Sequence, residues 1–393
     1  MRAFIDRDVT PTVREVEHAG LDQQGLFVAQ FGHRDPIVTQ PPSDRLTAVT
    51  AVGGPFFDDL SVGQVFDSAP SMTLTSGVAA AHQAITGDRM RLALDAELAH
   101  AVTGVPGALA HPALVCDVAI GQSTLVTQRV KANLFYRGLT FHRFPRVGES
   151  LFTRTEVVAL RQNSDKPGRE PTGLAALRMT TIDQVGRLVL DFHRCAMLPL
   201  SPGAGDTGHH DDLGAVGRGP DLGDAGPDPD PDPDPDPAAQ WDAAAFRERV
   251  PGPFFGSGLA GLMLRSTADV VTSAPELARL TLNIAATHQD SRAGGSRLVY
   301  GGHTIGLALA QATRLLPNLT AVLSWQTCDH TGPVYEGDTL YSDLTVEVAE
   351  ALPHSRGGLL NLRSQVYAVS AAAVGESAPD RPVLDWRYRV LHF

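Results

Sequence analysis

Cysteine is scarce in this chain. Cys116, Cys195 and Cys328 stand far apart, and no Cys-x-x-Cys pair occurs. An odd, scattered set argues against a disulfide framework or a structural zinc site. It points instead to a reducing, cytoplasmic setting in which three thiols pack as small apolar groups. Long apolar runs are missing too: none reaches about 18 residues, so no membrane span is expected. The opening Met1-Arg2-Ala3-Phe4-Ile5-Asp6-Arg7-Asp8 carries charges where a signal peptide needs an apolar stretch. No basic stripe is present to displace counterions from a nucleic acid. A Gly-rich phosphate loop is lacking, which removes support for nucleotide hydrolysis and dinucleotide redox chemistry. Without a Gly-x-Ser-x-Gly elbow, a Ser-His-Asp hydrolase has no support either.

What is present is 393 residues, 43% of them apolar, with a formal charge of −12. That length exceeds one compact core and predicts two domains. Most of the charge is local: residues 203–242 hold eleven aspartates against one arginine, leaving the rest of the chain close to neutral. Pro227 to Pro237 alternates proline and aspartate without a break. Fixed φ angles and mutual repulsion predict an extended, solvated rod there, within a disordered linker over 201–240. His209-His210-Asp211-Asp212 falls inside that linker, where a flexible chain does not preorganise metal ligands, so no metal is expected. Residues 1–50 carry turn and coil signals and read as a partly ordered tail.

The two parts flanking the linker repeat one another. Arg187-Leu188-Val189-Leu190-Asp191-Phe192-His193-Arg194 is answered by Arg381-Pro382-Val383-Leu384-Asp385-Trp386-Arg387-Tyr388. Val147-Gly148-Glu149-Ser150-Leu151 is answered by Glu336-Gly337-Asp338-Thr339-Leu340. Asp88, Ala93 and Asp95 correspond to Asn283, His288 and Asp290. Landmarks in one order at nearly one offset indicate a duplicated domain, over 51–200 and 241–393. Each copy reads as an early helix (Gly77 to Thr86, and roughly Ser266 to Asn283) followed by strands. The strands are expected over 150–160, 173–181 and 187–198, then 320–327, 339–348, 359–369 and 383–391. One helix against a run of antiparallel strands is an α+β layout.

Candidate chemistry concentrates in the second copy. His288 lies five residues after Asn283, and the pair Gly301-Gly302 follows thirteen and fourteen residues later. Imidazole exchanges protons near neutral pH, and an amide can orient a water but cannot titrate. A helix predicted over Thr304 to Leu315 places positive potential at its start. Asp290 could orient the imidazole, complete an acid–base pair, or cap the turn that follows. Tyr300 and His303 stand beside the glycines as supporting candidates. The first copy lacks these parts: Ala93 holds no proton, and Pro112 has no N–H. Asp88 and His82 read there as structural.

These residues resemble a known family. Phe56-Phe57-Asp58-Asp59-Leu60-Ser61-Val62-Gly63-Gln64-Val65-Phe66 is similar to the opening strand of MaoC-like dehydratases, the (R)-specific enoyl-CoA hydratase group. The Asn283-x-Ala285-x-x-His288-x-Asp290 pattern and Val299-Tyr300-Gly301-Gly302-His303 resemble the tandem members that act as mesaconyl-CoA hydratases or β-methylmalyl-CoA dehydratases. The resemblance covers about 55–200 and 245–393. It implies a double hot-dog fold, with two α+β units sharing one antiparallel sheet, and a hydro-lyase that uses no cofactor beyond the coenzyme A of its substrate. His288 would carry the proton and Gly301, or Gly302, the oxyanion. Asn283 replaces the family's usual acid, and Tyr300 stands at the family's histidine. An acyl-CoA or acyl-carrier thioester, branched or dicarboxylic forms such as mesaconyl-CoA included, would be the partner, and a homodimer is expected. Cations for the nucleotide could come from Arg292, Arg297, Arg314, Arg363, Arg129 or Lys131. Two other readings stay open on this fold: a thioesterase using Asp290, and a thioester-binding protein without catalysis.

Overall fold

The computed structural model describes residues 53–217, 238–293, 296–353, 357–370 and 380–393. The Asp-Pro run and the N-terminal 52 residues lie outside these.

Twelve strands form one antiparallel sheet: β1 (Val65–Phe66), β2 (Met72–Thr73), β3 (Ala132–Phe141), β4 (Ser150–Gln162), β5 (Thr172–Asp183), β6 (Leu188–Pro199), β7 (Met263–Arg265), β8 (Asp269–Val270), β9 (Leu319–His330), β10 (Thr339–Ala351), β11 (Gly358–Val369) and β12 (Arg381–His392). The seven long runs expected as strands all form, six of them slightly longer than expected and β6 shifted by one residue, and β3 is added to them. Burial alternates along β11 and through most of β4, as a sheet with one face on a core requires. The main path runs β1-β4-β5-β6-β3-β9-β12-β11-β10-β7, with β2 on β4 and β8 on β10. Read outward from its centre, this order is the same in both directions. β3 pairs with β9, Phe135 opposite Asp329 and Tyr136 opposite Cys328, so the two repeats meet in the middle of one sheet.

A helix from each repeat, Pro112–Gln122 and Gly301–Leu315, packs against the sheet, the first on β4 and β5 and the second on β10 and β11. All eleven residues of the first are buried, so its apolar character runs right round and shows no helical period. That is why the alternation of apolar and polar residues does not reveal it, while Pro112 at its first turn marks where it begins. Matching amides anchor the two helices. Gln122 Nε2 donates to the Leu151 carbonyl on β4 and Gln122 Oε1 accepts from Thr153; Gln311 Nε2 donates to the Leu340 carbonyl on β10 and Gln311 Oε1 accepts from Ser342. The duplication read from the sequence is thus repeated in buried polar contacts.

Three expectations are corrected. The early helix of the second repeat spans Ala274–Leu280 rather than 266–283, because its first part forms the short edge strand β8. The segment over 56–66 is a 3₁₀ turn at Phe57–Asp59 followed by a two-residue strand. Finally, residues 201–217 of the presumed linker pack on the first repeat. Ser201 donates to Asp58, Thr207 to Gln162, and Asp211 accepts from the Leu160 amide on β4. Leu213 is buried against Phe135 and Cys195. Glycine and aspartate made this stretch look solvated, yet its aspartates cap backbone groups.

The repeats come close at Gly121, where an added Cβ would overlap the Thr281 carbonyl oxygen of the other repeat. Backbone cannot yield as a side-chain tip does. Gly121→Ala is expected to lower unfolding free energy by about 1–3 kcal/mol or more, read as a fall in the urea midpoint with an unchanged slope.

Candidate active site

The segment ahead of His288 is held by the other repeat. Leu282 has φ of 61°, a left-handed conformation uncommon for a residue with a side chain. The Thr124 hydroxyl accepts from the Ile284 amide at 3.1 Å and lies 3.4 Å from the Leu282 carbonyl, fixing this kink from across the repeat boundary. Asn283, 2% exposed, accepts the Ala285 amide on Oδ1 at 3.0 Å. An N–H must meet an acceptor, so this contact orients the side-chain amide and leaves Nδ2 for the cavity. Asn283 therefore presents donors rather than the mixed donor and acceptor expected of it.

His288 follows on a single helical turn, Ala286–Gln289. Its Nδ1 is 2.9 Å from the Leu298 carbonyl, which can only accept. The proton therefore sits on Nδ1, and Nε2 keeps its lone pair, with no protein partner among the described residues. Burial pulls the imidazole down to about 4, outweighing the Leu298 hydrogen bond, and the nearby Arg194 charge pulls in the same direction. At neutral pH this is a neutral base.

A cavity of about 490 Å³ joins these groups. His288, Asn283, Tyr300 and Gly301 line it from the second repeat; Thr127, Lys131, Tyr136 and Arg194 line it from the first. Gly301 opens the helix expected from Thr304, three residues earlier than expected, so its own N–H is one of the unpaired donors at a positive helix end. A Cβ at 301 would come to 2.6 Å from His330 Nε2, so any larger residue there would displace that ring. Tyr300 meets the His288 ring edge-on at 5.6 Å between centroids.

Three of the candidates are placed elsewhere. Gly302 turns away from the cavity, and a Cβ there would run into Asp117 and the Tyr300 ring. His303 is fully buried, off the cavity wall, with neither ring nitrogen hydrogen-bonded. Asp290 accepts from the Arg292 amide and guanidinium, which hold its carboxyl down at about 2. It caps the turn Ser291–Ala293 and does not reach His288. Most of the candidate nucleotide-binding cations are also engaged: Arg292 by Asp290, Arg297 by Glu336, Arg314 by Asp269 and Arg363 by Asp385. Arg129 donates to the Gly54 carbonyl. Lys131 pairs with Glu170 at 3.0 Å but also lines the cavity.

Sequence reasoning missed Arg194, Tyr136 and His330. One signal was available: Arg194 occupies the repeat position that Tyr388 fills in the second copy. The first copy retains the scaffold of the site. Asp88 Oδ1 accepts the Met90 amide as Asn283 does that of Ala285, and Thr313 accepts the Arg89 amide as Thr124 does that of Ile284. Yet Asp88 is tied to His111 at 3.0 Å. Burial raises its carboxyl, but His111 and the Met90 amide outweigh that and hold it low.

The fold and this geometry have known counterparts. A protein of Mycobacterium tuberculosis, RV0216, described as having a double hotdog fold, superposes with a TM-score of 0.80 at 66% identity, over 88% of this chain and 100% of that one. A MaoC domain protein dehydratase from Chloroflexus aurantiacus matches with a TM-score of 0.69 at 25% identity, over 88% and 99% of the two chains. The chain has a double hot-dog fold and is similar to MaoC-like dehydratases. β-Methylmalyl-CoA dehydratase of Chloroflexus aurantiacus is 27% identical over 358 residues, 86% of this chain and 91% of that relative. No family model matches the sequence. Among the described residues no group of metal-ligating side chains comes together, and no helix is long and apolar enough to cross a membrane.

Burial also fixes an acid response. His303 and His392 are 0% and 2% exposed, and burial depresses both to about 4. The unfolded chain takes up these protons below about pH 6.5, whereas the folded chain waits until about 4. Stability present above pH 6.5 is thus lost on acidification across that window, at up to about 1.4 kcal/mol per pH unit for each histidine. Denaturant titrations from pH 7 to 4.5 should show this fall, and His303→Leu should make it shallower.

Proposed function

We propose that this protein is a hydro-lyase that reversibly adds water to the double bond of a 2-enoyl-CoA thioester. The observation that carries the reading is the shared cavity of the His288 imidazole, neutral and with Nε2 unpartnered, and the Gly301 end of a fifteen-residue helix. The dehydratase relatives support it at the level of reaction class.

The chemistry needs one titrating group. Nε2 takes a proton from water as the water oxygen bonds to the β-carbon. The π electrons shift toward the α-carbon, and the thioester carbonyl becomes an enolate. The Gly301 N–H and the helix end stabilise that oxygen. The imidazolium then returns its proton from Nε2 to the α-carbon, closing the cycle with H and OH added on one face. Asn283 Nδ2 holds the oxygen of the incoming water, or of the hydroxyl leaving in the dehydration direction. An asparagine thus replaces the family's acid without breaking the proton balance. No dissociable cofactor enters. The thioesterase alternative needs a carboxylate beside the thioester, and Asp290 is committed to Arg292 outside the cavity.

His288→Ala should lower kcat/KM by about 10²–10⁴-fold, followed as loss of enoyl absorbance without release of free thiol. Asp88→Asn preserves the first-repeat turn and should leave turnover per folded molecule in place. Retained activity in the first variant, or its loss in the second, would reverse the assignment of repeats. Because the base works in its neutral form, kcat/KM should fall toward acid with its inflection near 4, well below an ordinary histidine, when rates are taken before acid unfolding.

A further inference from the structure

His330 ends β9 and has no part in the chemistry above, yet it lines the cavity with His288, Gly301 and Tyr136. Its Nε2 is sealed from solvent without a hydrogen-bond partner. That atom fills the space a side chain at Gly301 would take, 2.6 Å from where a Cβ would stand. The Tyr136 ring packs edge-on against the imidazole at 5.8 Å between centroids. Nδ1 has no protein partner among the described residues either, but unlike Nε2 it is not sealed. The open side of the ring is therefore its Nδ1 side.

A neutral imidazole holds one proton, on one nitrogen or the other. On Nε2 that proton would point at the Gly301 methylene, beside the positive end of a helix, as a buried donor facing other donors. A lone pair is favoured at that place, so the proton belongs on Nδ1. Burial and the neighbouring His288 hold the ring down at about 4, so at neutral pH it is uncharged. Two close imidazoles also resist being protonated together. His330 is thus no second base while His288 carries the proton drawn from water. What it offers the cavity is an N–H donor.

The duplication supplies an internal control. His330 sits opposite Leu384 on β12, and the matching pair in the first repeat is Phe141 opposite Leu190 on β6. Phe141 is buried and stacks on Phe144 at 5.9 Å. The sheet therefore accepts a purely apolar ring at this position. The ring with nitrogens is present on the side where His288 faces a cavity.

We infer that His330 is a second hydrogen-bond donor to the thioester carbonyl, acting through Nδ1–H beside the Gly301 amide. The inference rests on the hydratase reading for its effect on rate, but not for its effect on a bound carbonyl. The enolate oxygen then accepts from two N–H groups, and donors fixed in place before reaction need no reorganisation as charge develops. No proton changes hands at His330, so the proton balance through His288 stands. A neutral imidazole suffices to polarise a carbonyl in this way. A competing role, in which the ring only fills the space beside Gly301, predicts no effect on the carbonyl.

Infrared difference spectra of butyryl-CoA, isotopically labelled at the thioester carbonyl carbon, separate these roles without turnover. Bound to the wild type, the carbonyl band should fall to lower frequency than in the free thioester. His330→Phe installs the residue of the first repeat and should move the band back up; His330→Leu serves if the larger ring disturbs folding. His330→Asn, whose amide nitrogen falls near the place of Nδ1, should keep part of the shift. In turnover of crotonyl-CoA or mesaconyl-CoA, His330→Phe should lower kcat by about 10²–10³-fold, and His330→Asn should restore part of that loss. The acid limb of kcat/KM should persist in His330→Asn; its disappearance would make His330 the base and overturn the donor role. A band unmoved by removing the imidazole, or a fall in kcat that His330→Asn does not partly restore, overturns the inference and leaves the hydratase standing. A wild type that hydrates neither thioester, yet shows a carbonyl shift that depends on His330, overturns the hydratase and leaves the donor.

Discussion

The antiparallel pairing of β3 with β9 is the contact on which the rest of the molecule depends. It turns two half-sheets into one and sets Tyr136 and Arg194, from one repeat, along the same cavity as His288 and Gly301, from the other. Neither repeat encloses the site alone. The kink at Leu282 shows the same dependence on a smaller scale, since the hydroxyl that holds it comes from Thr124 across the boundary. Gly121 then sets how near the helix of one repeat can come to the backbone of the other.

The two copies keep one scaffold and differ in the side chains set on it. Both retain the turn in which a side-chain oxygen accepts the amide two residues on, at Asp88 and at Asn283, and both retain the threonine that ties this turn to the opposite repeat. These contacts stabilise the fold whether or not a substrate binds. What differs is what catalysis would use: an imidazole against Ala93, an N–H donor against Pro112, and a cation against Tyr388. In the second repeat, at the position matching Arg194, Trp325, Trp386 and Tyr388 pack into a single aromatic cluster. A buried cavity costs contacts that rings restore.

Much of this was legible in the residues. The repeat offsets predicted the twofold order of the sheet. The alternation in runs such as Leu340 to Val346 marked β10, and His288, Asn283 and Gly301 proved to line one cavity. The unread parts have physical causes. The Pro112–Gln122 helix is buried on every side and so carries no period. Residues 201–217 have a solvated composition but spend their aspartates on backbone amides. Arg194 lies in the chain far from His288, and only the sheet register brings a residue of β6 into a cavity whose other wall is built more than eighty residues later. Asp290 misled for the opposite reason: nearness in sequence to His288 set it beside Arg292 instead, where a short turn satisfies both charges.

The site's polarity follows from which groups folding leaves incomplete. The Nε2 of His330 lies buried without a partner against Gly301, and the Nε of Arg194 does the same near Thr127. Unpaired polar atoms in a protein interior lower stability, and most buried groups avoid that state. Here both border one cavity, lined also by His288 with its free Nε2 lone pair and by the amide end of the Gly301 helix. A lining of N–H donors, a cation and a neutral imidazole is complementary to a ligand that brings acceptor groups. A ligand that meets these groups offsets the desolvation that folding had to accept, and on the proposed hydratase reading the same donors would strengthen their hold as an enolate forms.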